Sequence, residues 1–109
     1  MPIVKIVYCI SKLPHLSNEE FHRYWRDIHG PIAGRIPGCR KYVQSHTIHR
    51  ALGAREPAFD GVAELWFDDW KALEAAMATQ EVAAALEDER KFIDHSRTAF
   101  FVAEEHHVI

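Results

Sequence analysis

Cysteine, glycine and proline are scarce in this 109-residue chain, at two, five and five residues. Cys9 and Cys39 stand far apart and in no metal-binding or redox spacing. They therefore read as free, buried thiols of a reducing compartment, and a cytoplasmic protein is expected. No run approaches the ~18 apolar residues of a membrane span, and Met1-Pro2-Ile3-Val4-Lys5 does not open like a signal peptide. An excess of positive charge is also lacking. Thirteen basic residues face sixteen acidic ones, for a net charge of −3, and no aromatic-basic interleaving offers a stacking platform. Neither nucleic acid nor an anionic membrane is an expected partner.

Eight histidines are present, yet no HxxxH or HExxH occurs. His22 and His29 lie about two helical turns apart, ~10 Å along an axis, which is too far to share one ion. His46 and His49 alternate across an extended strand, as do His106 and His107. No metal site is expected. Repeats, low-complexity stretches and domain linkers are absent, so residues 1–109 form one domain.

What is present alternates between strand and helix patterns. Ile3 to Ile10 is a β-branched and aromatic run, apolar on both faces and ended by Ser11 and Pro14. Ser17 and Glu20 form a capping box. Behind it Phe21, Tyr24, Trp25, Ile28 and Ile32 recur at helical spacing. Gly30-Pro31 should interrupt this helix and leave His29 near its C-terminus. Cys39 to His49 and Gly61 to Phe67 read as two further strands separated by a loop over residues 51–60. Asp68-Asp69 caps a second helical region with the stripe Trp70, Leu73, Ala76, Met77, then Val82, Ala85, Leu86 after a break near Thr79-Gln80. Glu81, Glu87, Asp88 and Glu89 are placed outside that stripe. Arg97 to Glu105 is the last strand.

The order β-α-β-β-α-β predicts an α+β, ferredoxin-like fold, with both helical regions on one face of a four-stranded antiparallel sheet. Tyr8, Tyr42, His46, Trp66 and a phenylalanine of the last strand are assigned to the uncovered face. At ~25 cal/mol per Å² of apolar area, leaving them in water costs several kcal/mol. A homodimer packed through the two open faces is therefore expected, with Gln44, His46 and Glu64 lining a cavity between them.

Three motifs in order resemble the EthD family: Trp25-Arg26-Asp27-Ile28-His29-Gly30-Pro31, Ile36-Pro37-Gly38-Cys39-Arg40-Lys41-Tyr42-Val43-Gln44-Ser45-His46, and Asp60-Gly61-Val62-Ala63-Glu64-Leu65-Trp66-Phe67. The resemblance implies a ferredoxin-like fold and a dimeric α+β barrel. The family is named for a protein linked to ethyl tert-butyl ether breakdown. Its relatives include cofactor-free isomerases of methylated muconolactones and fungal polyketide cyclases or dehydratases. Proton transfer on a small oxygenated compound, in a catabolic or secondary-metabolic pathway, is what they share. His29 falls on the family's helix histidine, Tyr42, Gln44 and His46 on its second-strand motif, and Asp60, Glu64 and Trp66 on its third.

Each candidate carries two readings. His29 is a general acid or base, with an imidazole that titrates near neutrality, or a histidine that satisfies helix carbonyls. His46, Tyr42 and Gln44 orient a substrate oxygen, or they are polar members of the dimer interface. Glu64 is a catalytic carboxylate with a raised pKa or half of an ion pair. Asp60 suits a turn before Gly61. Tyr8 and Trp66 are apolar walls of a ligand site or plain packing. Pro2 would become an N-terminal base if Met1 were removed, but the element order is not the tautomerase β-α-β unit. The leading expectation is a cofactor-independent isomerase, cyclase or dehydratase with His29, His46 and Glu64 moving protons and Tyr8, Tyr42, Gln44 and Trp66 binding the ligand. The alternative is a non-catalytic dimer that holds a metabolite or assists an oxidative degradation system.

Overall fold

Strand register decides which side chains meet. In the computed structural model, which describes residues 3–109, β1 (Val4–Ile10), β2 (Lys41–His46), β3 (Gly61–Phe67) and β4 (Ala99–Ala103) form one antiparallel sheet in the order β2-β3-β1-β4. Ile6 of β1 lies opposite Leu65 of β3 and Val102 of β4, and Leu65 in turn lies opposite Tyr42 of β2. Alternate residues share a face, so Val4, Ile6, Tyr8 and Ile10 share theirs with Tyr42, Gln44, His46, Phe100 and Val102. All the helices pack on this face. Val4, Ile6, Ile10, Leu65 and Phe67 are buried beneath them with Phe21, Trp25, Leu73 and Phe92. The topology is the expected ferredoxin-like one. The assignment of faces is corrected: Tyr8, Tyr42 and His46 lie under the helices, while Trp66 and Glu64 point the other way. Pro2 lies outside the described residues.

The first helix is also corrected. α1 (Asn18–Tyr24) starts at the capping box as expected: the Glu20 N–H donates to Ser17 Oγ and the Ser17 N–H donates to Glu20 Oε1. Gly30-Pro31 does not end it. A π-helical turn (Trp25–His29) leads into α2 (Gly30–Ala33). Pro31 has no N–H for the Asp27 carbonyl, and its ring would crowd that carbonyl in a plain α-helix. The wider turn relieves the clash, and the Gly30 N–H donates to the Trp25 carbonyl instead. The extra residue shifts the phase of the helix. Phe21, Trp25, His29 and Ala33, each four apart, are buried, whereas Ile28 is 50% exposed.

The second helical region divides where expected. α3 (Trp70–Met77) is capped by Asp69 and α4 (Gln80–Glu89) by Thr79. Trp70 and Leu86 are more than half exposed, so they lie off the buried stripe. Asp88 and Glu89 occupy it with Val82 and Ala85, contrary to their expected placement outside. Among the described residues no helix is long and apolar enough to cross a membrane.

Candidate functional site

Between the helices and the covered face of the sheet lies a cavity of about 410 Å³. Its walls are mainly apolar (Ile6, Ile10, Ala63, Leu65, Val82 and Ile93 among them), and the polar groups His29, Tyr8, Tyr42, Thr98 and Glu89 break them. Met77, Leu86 and Phe100 also line it and are substantially exposed, which puts its mouth on their side. A mainly apolar pocket with a few polar groups is the usual form of a small-molecule site.

His29 reaches the cavity through the π-helical turn. Its Nδ1 lies 2.9 Å from Asp88 Oδ2 on α4, with both side chains nearly fully buried. A carboxylate only accepts, so Nδ1 carries a proton and donates, and the neutral form of this imidazole keeps its lone pair on Nε2. No hydrogen-bond partner for Nε2 occurs among the described residues. Tyr24 OH donates to the other Asp88 oxygen at 2.7 Å. Burial, and then the hydrogen bond to Asp88, push the Tyr24 phenol up to about 12. A second carboxylate follows on the same helix. Tyr8 OH donates to Glu89 Oε1 at 3.0 Å, and His95 Nε2 lies 2.9 Å from the same oxygen. Burial, and next the Glu89 charge, raise the Tyr8 phenol strongly, so it stays protonated.

A third group runs along β2. Gln44 Nε2 donates to the Trp25 carbonyl at 2.9 Å and to Tyr42 OH at 2.8 Å. Gln44 Oε1 lies 2.8 Å from His46 Nε2. His46 Nδ1 meets His22 Nδ1, and His22 Nε2 meets His49 Nε2, each at 2.7 Å. Burial lowers His46 to about 4, with the neighbouring His22 charge as the next cause. Burial lowers His22 as well. The expectation that His46 and His49 face opposite ways is corrected: β2 ends at His46, and the chain beyond it brings His49 back onto His22.

Residues 13–96 match the EthD domain, a stretch that contains His29, Tyr42 and Asp88. This chain belongs to the EthD family. An EthD family protein from Bacillus halodurans is 25% identical, with a TM-score of 0.80 over 95% of this chain and 99% of its own. SnoaB from Streptomyces nogalater, described as a cofactor-independent oxygenase, is 15% identical, with a TM-score of 0.66 over 100% of this chain and 98% of its own. A protein of unknown function from Bacteroides fragilis, described as dimeric and ferredoxin-like, is 13% identical, with a TM-score of 0.67 over 94% of this chain and 96% of its own. No curated protein matches the chain.

In this EthD protein, His29, Tyr8 and Tyr42 line one cavity, and Gln44 and His46 stand directly behind Tyr42. Glu64 and Trp66 do not join them. Glu64 pairs with Lys5 at 2.6 Å on the open face. There the Trp66 indole N–H donates to Glu105 at 3.0 Å, and Lys5 and Lys41 sit over its ring. Strand alternation forces this separation, because Ala63 and Leu65 take the covered face and their neighbours cannot. Asp60 fills its turn role, with Oδ2 accepting the Lys12 backbone N–H at 2.7 Å.

Asp88 and Glu89 were missed from sequence. A signal existed for Glu89, which stands seven residues after Val82 and so on its stripe. Carboxylates are rarely buried without partners, and those partners, His29 and Tyr8, come from distant parts of the chain.

Proposed function

We propose that this EthD protein is a cofactor-independent enzyme that removes a proton from carbon next to the carbonyl of a small, largely apolar ketone or lactone. Isomerisation, cyclisation or dehydration follows from the resulting enolate. The observation that carries this reading is the buried His29–Asp88 pair in the wall of an apolar cavity, which leaves Nε2 of the neutral imidazole to act as the base. In the proposed step the C–H bond breaks and the proton goes to Nε2. The C–H electron pair becomes the new C=C bond, and the carbonyl π pair moves onto oxygen. Asp88 fixes the tautomer and stabilises the imidazolium that forms. Electrons stay within the substrate, so the step calls for no redox partner.

Lys5, Glu64 and Trp66 belong to the opposite face in this reading and take no part in chemistry. That face carries Val7, Val43, Val62 and Phe101 and would form a homodimer interface with a second copy. The dimeric description of the similar Bacteroides fragilis protein supports this. A non-catalytic role, holding or protecting a hydrophobic metabolite, draws on the extent of the apolar wall. One experiment separates the two. Small cyclic ketones and lactones are incubated with the protein in D2O, and exchange of the α-protons is followed by NMR. Catalysed exchange that falls at least about 100-fold in His29→Gln supports the enzyme. Ligand binding without exchange, unchanged by that substitution, supports the carrier.

A further inference from the structure

One backbone carbonyl sets the direction of a chain of six hydrogen-bonding groups. The Trp25 carbonyl can only accept, so the Gln44 atom 2.9 Å away is the amide nitrogen. That nitrogen also donates to Tyr42 OH. Gln44 Oε1 must then accept, and His46 Nε2 carries a proton. A neutral His46 offers its bare Nδ1 to His22 Nδ1–H, and the bare His22 Nε2 takes the proton of His49 Nε2. His49 Nδ1 ends the series 3.8 Å from Asp60 Oδ1. Every link points towards Tyr42. The chain does not conduct protons, because Gln44 lies between the histidines and the phenol and an amide is a poor relay. Its consequence is orientation. Tyr42 oxygen is occupied as an acceptor, and no acceptor for its own proton occurs among the described residues. Tyr8 differs, since its proton is held by Glu89.

We propose that Gln44, aligned by the Trp25 carbonyl and the His46–His22–His49 series, is a positioning residue that turns the Tyr42 O–H into the cavity, where it binds an acceptor oxygen of the ligand. The inference rests on the proposed proton abstraction for its chemistry and deepens it. The ligand class is a carbonyl compound, seated with its oxygen at Tyr42 and its acidic C–H towards His29. Gly30 belongs to the same construction. A Cβ there would come 3.3 Å from Gln44 Nε2 and 3.4 Å from the Trp25 carbonyl oxygen, so the missing side chain leaves room for the amide.

The test uses acetophenone labelled with carbon-13 at the carbonyl, and α-methylstyrene as its isostere without the oxygen. Affinities of both and the infrared carbonyl stretch of bound acetophenone are measured on the whole protein. In the wild type the stretch lies below its value in hydrocarbon solvent. Tyr42→Phe removes the shift and lowers the ratio of acetophenone to α-methylstyrene affinity about tenfold. Gln44→Glu does the same with Tyr42 still present, because a carboxylate takes the phenol proton. Melting curves identify any variant that is unfolded, and Gln44→Met, which removes the amide donor to Tyr42 without adding charge and should also lower the shift and the ratio, takes the place of Gln44→Glu if that one is. An unshifted stretch in the wild type, failure of acetophenone to bind, or an unchanged stretch and ratio in either folded variant overturns the proposal. His29→Gln keeps the shift while losing α-proton exchange, so failure of the base and failure of the oxygen site give different results.

Discussion

The two faces of the sheet carry similar inventories of aromatic and ionisable side chains and use them in opposite ways. Against the covered face, α4 brings two buried carboxylates, each bonded to a histidine and a tyrosine: Asp88 with His29 and Tyr24, the exposed Lys91 lying 3.8 Å from it, and Glu89 with His95 and Tyr8. On the open face, Glu64 and Glu105 share Lys5, and Lys5 and Lys41 flank Trp66. A lysine supplies fixed positive charge, whereas a neutral imidazole held by a carboxylate keeps a lone pair for a proton. Burial widens the difference. The His29–Asp88 side chains are 7% and 8% exposed, and those of Lys5 and Glu64 are 17% and 23% exposed. One face thus holds buried carboxylates among imidazoles and phenols, and the other holds carboxylates against partly exposed ammonium groups.

Substitution of the acid–base groups gives the largest expected contrast. His29→Gln removes the base, and steady-state rates on a screened ketone should fall about 100-fold or more. Glu64→Gln should change them less than about twofold. Equal losses would remove the functional distinction between the faces. The next contrast concerns packing. A Cβ on Gly61 would lie 2.6 Å from Trp25 Cη2 and 2.9 Å from the Ser45 carbonyl oxygen. Gly61→Ala should therefore cost about 2–3 kcal/mol by overpacking, read from denaturant titration. Val62→Ala, one residue along on the open face, should cost less.

Assembly sharpens the comparison from the other side. Phe101→Glu should halve the mass in sedimentation equilibrium if the open face joins two copies, with circular dichroism unchanged. Phe100→Glu, at the cavity mouth, should leave the mass as it is. A smaller effect concerns pH. His46 titrates near 4 in the folded chain and near 6.5 unfolded, so between those values the unfolded state binds the extra proton. Its contribution is complete above about pH 6.5 and shrinks as pH falls towards 4, and the lowered His22 acts in the same sense. The Tm of the wild type should therefore fall more steeply across that window than the Tm of His46→Gln. The smallest effect is that of Lys5→Met with Glu64→Leu, which should shift stability by less than about 1 kcal/mol, as expected of a partly exposed ion pair.

Much of this architecture is legible in the sequence. Ser17 and Glu20 mark the start of the first helix, Thr79 divides the second helical region, and Gly61 to Phe67 forms a strand within its expected limits. These are local signals, set by capping and by alternation along the chain. Reading fails where a local rule has two outcomes. Pro31 either ends a helix or forces a wider turn, and the wider turn exchanges Ile28 for His29 at the buried position. Both faces of β1 are apolar, so alternation alone leaves open which one the helices cover.

Element order, family and the presence of His29, Tyr8 and Tyr42 as chemical groups can all be read along the chain. That they share a cavity, that Glu64 and Trp66 do not, and that Asp88 holds His29 Nδ1 from 59 positions away come from the packing of separate elements. The reason is physical. Periodicity specifies which residues of one element lie together, whereas the partner of a buried polar group is set by how separate elements pack, and no local pattern encodes that.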